Sequence, residues 1–250
     1  IDEISVKKGH TYLTLVMDLQ SGAVVFVGDG KGARALQPFW ERLRRSRVKL
    51  EAVATDMSAA YIGAVLENLP GTPLVFDHFH VVKLMNETLS AVRRGLHHEL
   101  KDVMGKKVLK GTRWILLKNP ENLRPEHDEA KRLQEALRLN APLATAYYMK
   151  EDLRQLWSQK NKEQAHAALN TWIERARSSG IGPLIRMGNT LAAHSFGILN
   201  WYDHPISSGP MEGTNNKIKV MKRMAYGYRD MEFFKLRILA IHEAKYALTG

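Results

Sequence analysis

The chain has 250 residues, 44% hydrophobic and 25% charged, which is enough apolar material for a buried core and ordinary for a globular protein. Its formal net charge of +11 points to polyanionic partners, and the absence of cysteine excludes disulfides, thiolate metal sites and a cysteine nucleophile. No apolar run is long enough to span a membrane and no signal peptide opens the sequence, so no membrane partner and a reducing, cytoplasmic setting are expected.

The first third reads as strands alternating with helices. "IDEISV", "HTYLTLVMD" and "AVVFVG" are β-branched and aromatic runs separated by turn residues, which predicts a three-strand meander. Ile1 opens directly into the first of these without an initiator methionine, so the sequence reads as a fragment of a longer chain. Ala35, Leu36, Phe39, Trp40 and Leu43 recur at three- and four-residue steps, predicting a helix over 33–47. "LEAVATD" predicts a fourth strand, 58–69 a helix stopped by Pro70 and Gly71, and "TPLVFD" a fifth strand. The order β-β-β-α-β-α-β is an α/β layout. From Val81 to about Ile206 the pattern is helix after helix, broken at "KNPENLRPE", "NAP" and "SSGIGP", and helical pattern resumes after Gly209. This long stretch is either a second domain or an insertion within the first.

Positive charge is clustered. Residues 31–49 carry seven basic side chains against Glu41 alone. "SGPMEGTNNKIKVMKRMAYGYR" carries Lys217, Lys219, Lys222, Arg223 and Arg229 against Glu212 alone. One such cluster is ordinarily a solvated face; two on a chain of this charge favour nucleic acid.

Three acids stand out by position. Asp2 lies within the first strand, where a carboxylate is costly unless paired or bound to metal. Asp56 follows the fourth strand, at the carboxyl end where α/β sites form; such an Asp is a metal ligand or the cap of the next helix. Glu212 lies in the first turn of a helix opened by Pro210, where an acid complements the helix dipole. Three- and four-residue spacing puts Glu212, Asn215, Asn216, Lys219 and Arg223 on one polar stripe and Ile218, Met221 and Ala225 on an apolar one. An acid on a face suited to phosphates repels them unless a divalent cation sits between.

The blocks "IDEISVKKGHTYLTLVMDLQSGAVVFVGDGK", "AVATDMSAAY", "VFDHFHVVKLMNE" and "GPMEGTNNKIKVMKRMAYGYR", in that order, resemble the DDE-type transposases of bacterial insertion sequences of the ISL3 family. The likeness covers nearly the whole chain, and its last block is highly specific. It implies a ribonuclease H-like core, a mixed five-stranded sheet of order 3-2-1-4-5, formed by 1–80 and 207–250 and interrupted by an all-helical insertion over 81–206. It implies Asp2, Asp56 and Glu212 as the catalytic, metal-binding triad, ahead of the rival first acid Asp18, which ends the second strand. It implies Asp77 and His80 of "DHFH" as supporting residues, where the residues alone read as ordinary strand-end histidines. It further implies two Mg²⁺ or Mn²⁺ ions, cleavage and strand transfer at insertion-sequence ends, double-stranded DNA (terminal inverted repeats and target) as partner, and a homodimer or larger synaptic complex. Asn215, Asn216, Lys219 and Arg223 are then expected to touch DNA phosphates. Trp114, Trp157, Trp172 and Trp201 are expected in the helical core, stacking on unpaired bases being the alternative. The rival functions are a metal-dependent nuclease without strand transfer, a DNA-binding protein that has lost catalysis, and a basic RNA-binding protein, which the strand-rich start fits poorly.

Overall fold

The computed structural model describes residues 1–7, 11–46, 48–99, 109–110, 112–207 and 209–242. Arg47, the end of the first expected helix, Ser208 and the last eight positions lie outside them. The chain separates into two compact units, Ile1–Asp77 with His204–Gly250, and His78–Asp203.

The first unit is mixed α/β. Strands β1 (Asp2–Lys7), β2 (Thr11–Met17) and β3 (Val24–Asp29) form an antiparallel meander in that order, with Asp2 opposite Leu15, Ile4 opposite Leu13 and Leu15 opposite Val27. β2 is central, and Leu13 through Met17 are all buried, as a strand covered on both faces requires. Alternation sends Ile4, Val6, Leu13, Leu15 and Met17 to one face, where they pack with Met211, Ile218, Phe234 and Ile238 of the two C-terminal helices α9 (Gly209–Met224) and α10 (Met231–Leu239). On the other face, Thr14 Oγ1 lies 3.1 Å from the Tyr61 hydroxyl of α2 (Ala59–Asn68).

The predicted helix over 33–47 is a 3₁₀ turn, Ala33–Leu36, followed by α1 (Gln37–Arg45). Pro38 explains the division: its locked φ suits a first helical turn and its missing N–H cannot continue an earlier one. β4 (Val53–Thr55) and β5 (Leu74–Phe76) pair in parallel across α2. They are shorter than the apolar runs suggest, since the two pair over three residues each. The described strands therefore form a sheet of three and a sheet of two. Between the ends of the two sheets, Ile1 N, just before β1, donates to Ala54 O of β4 at 2.7 Å.

The described residues of the second unit contain no strand. Its helices are α3 (His78–Glu99), α4 (Arg113–Leu117), α5 (Glu129–Leu139), α6 (Ala141–Arg154), α7 (Lys162–Ser178) and α8 (Gly182–Leu199). Asn161 caps α7, its side chain accepting from Gln164 N at 2.9 Å. Gly188 lets α8 close on α7: a Cβ there would stand 3.0 Å from Ala176 Cβ.

Candidate active site

Strand period places Asp2 on the same face of β1 as Ile4 and Val6, the face that α9 covers. On α9 the buried positions Met211, Asn215 and Ile218 follow at steps of four and three, so Asn215 lies on the inward stripe beside two hydrophobic residues. The two polar side chains meet: Asn215 Nδ2 donates to Asp2 Oδ2 at 2.7 Å. Asp2 Oδ1 accepts from Glu3 N at 2.8 Å. The carboxylate thus has a donor at each oxygen. Asn215 Oδ1 is buried and has no partner among the described residues.

Asp56 follows β4, and its Oδ1 accepts from Ser58 N at 3.0 Å, an Asx turn that leads the chain into α2. The Ile1 nitrogen connects the neighbourhoods of the two acids. Tyr61 braces the same corner from α2. Its hydroxyl accepts from Gly32 N at 3.2 Å and donates to Glu3 Oε2 at 3.4 Å, and burial raises its pKa. Glu3 points to the face opposite Asp2 and belongs to this brace. Nothing in the spelling of "AVATDMSAAY" singles out Tyr61, whose role depends on a contact 47 residues distant in sequence.

Glu212 stands in the first turn of α9, one position after buried Met211, and is exposed. Among the described residues, no three His, Asp or Glu side chains lie together as a metal cluster. Asp2 and Asp56 adjoin the two ends of one hydrogen bond, Ile1 N to Ala54 O, and Glu212 lies three residues before Asn215, which donates to Asp2. Asn216, Lys219 and Arg223 are exposed on α9, whereas Asn215 is buried against Asp2. Asp18, the rival first acid, is committed to a turn: Oδ1 accepts from Gln20 N at 3.0 Å and Oδ2 from Ser21 N at 3.3 Å. Hydrogen bonding by the Ser21 hydroxyl is the main reason its pKa is lowered. Asp77 ends β5 and is 1% exposed in the first unit. His80 lies in the first turn of α3 in the second, its ring edge-on to Phe79.

The available donors are carboxylate and amide oxygens, the hard ligands that Mg²⁺ and Mn²⁺ take. The unsatisfied Asn215 Oδ1 beside Asp2 fits a cation or its bound water. Two carboxylates and an orphaned oxygen suit such an ion in chemistry, and Glu212 is one helical turn from Asn215.

A family model described as transposase, of the DDE type and ISL3 group, matches residues 1–238. The chain is 38% identical over 243 residues to the transposase for insertion sequence element IS1001 of Bordetella parapertussis, covering 96% of this chain and 59% of that protein. It is 32% identical over 252 residues to the transposase for insertion sequence element IS1557 of Mycobacterium tuberculosis, covering 92% of this chain and 56% of that protein. The chain therefore spans a little over half the length of these relatives. No solved structure matches it. The match along nearly the whole chain, together with the two relatives, shows that this chain belongs to the ISL3 group of DDE transposases.

Proposed function

We propose that the first unit is the catalytic core of a transposase that cleaves DNA at the ends of an insertion sequence and joins those ends to target DNA, with Asp2, Asp56 and Glu212 as its catalytic acids. The observation that carries this reading is the bond from Asn215 to Asp2, which ties the helix bearing Glu212 to the strand bearing the first acid. The bond from Ile1 N to Ala54 O supports it from the other side, since Ile1 precedes β1 and Ala54 lies in β4, strands that would be neighbours in a core of order 3-2-1-4-5.

In this reading Asp2, Asp56 and Glu212 hold two Mg²⁺ or Mn²⁺ ions. Such ions supply activation of a water or 3′-hydroxyl and stabilisation of the leaving oxygen. The protein's own residues set the geometry. Asn215 and the Glu3 amide fix the Asp2 carboxylate, Ser58 N fixes Asp56, and the first turn of α9 presents Glu212. Asn216, Lys219 and Arg223 lie along the exposed side of α9, where they hold backbone phosphates leading to the acids. Asp77, directly after β5 in the first unit, is read as a supporting residue of this core. The second unit is read as the insertion into this core. Double-stranded DNA is the partner, acted on by a dimer or larger complex.

The test is nicking of supercoiled plasmid by the protein in Mn²⁺, beside DNA binding by fluorescence anisotropy. Asp2→Asn, Asp56→Asn and Glu212→Gln should each abolish nicking and leave binding intact. Nicking without joining of a 3′-hydroxyl oligonucleotide to the plasmid would leave a nuclease. Binding without nicking would leave a DNA-binding protein.

A further inference from the structure

The second unit carries a strip of cations that the catalytic acids do not account for. Arg93 and His97, and likewise Arg94 and His98, are four residues apart on α3 and so share its faces turn by turn. Two hollows of about 310 Å³ and 190 Å³ adjoin along this helix and share Arg94. Lys83 and Arg113 line the first, and Arg93, His97, His98 and Lys110 line the second. Glu87 is the one carboxylate among all the lining residues.

Most of the unit's other buried or half-buried cations have counter-charges. Lys118 sits on Glu129 at 2.7 Å, Lys150 on Glu151 at 2.7 Å and Arg154 on Glu151 at 2.7 Å. Among the described residues, none of Lys83, Arg93, Arg94, Lys110 and Arg113 pairs with a carboxylate. Arg93 Nε is buried and has no partner among the described residues. Burial, and then the charges of Arg113 and Arg94, lower the Arg93 pKa, so these guanidinium groups lie near enough to repel one another. Arg93 is half-buried with its Nε enclosed, and Arg94 and Arg113 beside it are exposed, so an arriving anion lowers their mutual repulsion.

The shape favours a polymer over a single ion. Lys83 and Arg94 are three turns apart, about 16 Å along the helix, which equals about five nucleotide steps along one strand of a duplex. Trp114 adds an aromatic surface. It is 66% exposed, against 3% for Trp172, and the Arg113 guanidinium lies 4.8 Å from its ring centroid. An exposed indole beside a cation strip suits stacking on a base at a frayed or cut end.

We propose that the groove formed by α3 and α4 is a second DNA-binding site, taking the backbone phosphates of a duplex away from the reacting bond on Lys83, Arg93, Arg94, Lys110 and Arg113. This rests on the reading of the chain as a protein that acts on DNA. It assigns the helical unit a grip on the substrate that is separate from the stripe on α9.

The experiment is anisotropy of a labelled 30-base-pair duplex over a series of salt concentrations, with the full chain and the double variant Arg94→Glu/Arg113→Glu. Both side chains are exposed, so the fold should stand, and a thermal melt checks it. The variant should weaken binding about 10- to 100-fold at low salt and lower the slope of log K against log salt by about 2, since each phosphate contact contributes about 0.9. Lys83→Gln/Lys110→Gln, also at exposed positions, should lower the slope by a similar amount without reversing any charge. Unchanged affinity and slope in both variants, with the wild type binding, would overturn the proposal. So would protection of these arginines from phenylglyoxal by inorganic phosphate and not by the duplex, which would mark a small-anion site. The two proposals fail differently. A wild type that binds DNA through the groove and never nicks it would sink the catalytic reading alone. A wild type that nicks, with binding untouched by the groove variants, would sink the groove alone.

Discussion

Asn215 and Asp2 stand 213 positions apart in the chain, and the Asn215 carboxamide donates to the Asp2 carboxylate at 2.7 Å. The bond is charge-assisted and shielded by α9 on one side and β1 on the other, which places it among the stronger hydrogen bonds of the unit. Asn215→Ala should cost about 1.5–3 kcal/mol of stability, the usual loss for a hydrogen bond to a charged group. It should also slow Mn²⁺-dependent nicking about 10- to 100-fold, as removal of a group that orients a ligand commonly does. Asn215→Asp is the sharper variant. It places a second carboxylate against Asp2, so one of the pair takes up a proton at a higher pH than either would alone. The ionised form is then reached only at higher pH, and the acid limb of the pH–rate profile should move upward. An Asn215→Ala enzyme with wild-type nicking and Mn²⁺ affinity would remove Asn215 from the site.

Asp18 separates a turn carboxylate from a site carboxylate. Its oxygens serve the amides of Gln20 and Ser21, and Gly22 completes the turn at φ 76°. Asp18→Ala should cost no more than about 1 kcal/mol, because the turn is largely solvated. Its pKa is lowered, chiefly by the Ser21 hydroxyl. The stability it contributes is therefore complete above its ordinary value of 3.8 and is lost as pH falls through the lower folded value. Melting curves of wild type and Asp18→Ala should converge at the acid end of a pH series, while nicking at neutral pH stays at the wild-type rate. Loss of nicking in this variant, with Asp2→Asn still active, would exchange the two acids.

The family and the direction of Asp2 were both legible in the chain. Family membership rests on four motif blocks that needed no geometry. Asp2, Ile4 and Val6 share a face by strand period alone, so an inward carboxylate could be expected as soon as the first strand was read. The environment of Asn215 could not be read the same way. Its spacing from Glu212 and Lys219 fits the polar stripe of α9, and its spacing from Met211 and Ile218 fits the buried one equally well. Only the presence of Asp2 across the gap favours burial of an amide there. The lengths of β4 and β5 were hidden for a different reason. Leu50, Glu51 and Ala52 continue a strand-like spelling, but pairing ends where the partner strand ends, and β5 has three residues. Tryptophan composition was silent on exposure: Trp172 donates to Met149 O in the core, while Trp114 faces solvent.

Gly28 marks where β3 meets the 3₁₀ turn before α1. A Cβ at this position would stand 2.3 Å from the carbonyl oxygen of Ala35 and 2.9 Å from the Phe26 ring. The nearer atom is backbone, in a turn whose Ala35 and Leu36 are buried, so it cannot yield as a side chain would. Gly28→Ala should destabilise the first unit by about 1–3 kcal/mol, the cost of overpacking, seen as a lower urea midpoint. Gly63→Ala is the control, since a Cβ there meets nothing within 4 Å and alanine favours a helix. Equal midpoints for the two variants would mean that the Ala35 carbonyl moves freely.

Lys150 holds the second unit together by a cation placed at a helix end. It is 3% exposed and donates to Leu116 O at 3.0 Å and Lys118 O at 2.9 Å, carbonyls at the C-terminus of α4, with Glu151 Oε1 also 2.7 Å away. Those carbonyls have no partner within their own helix, and a cation there also complements the helix dipole. Burial lowers the Lys150 pKa and Glu151 opposes that shift, so the ammonium is retained by its neighbours and not by water. Lys150→Met keeps the length of the side chain and removes the three contacts together. It should cost about 3–5 kcal/mol, as does breaking a buried pair at one partner. The loss should appear as a lower midpoint in urea unfolding followed by far-ultraviolet circular dichroism. Lys150→Met/Glu151→Gln should recover part of that loss, because the second change removes the carboxylate left without its cation. If the single variant melts with the wild type, the carbonyls at the end of α4 find water instead, and Lys150 is not the tie between α4 and α6.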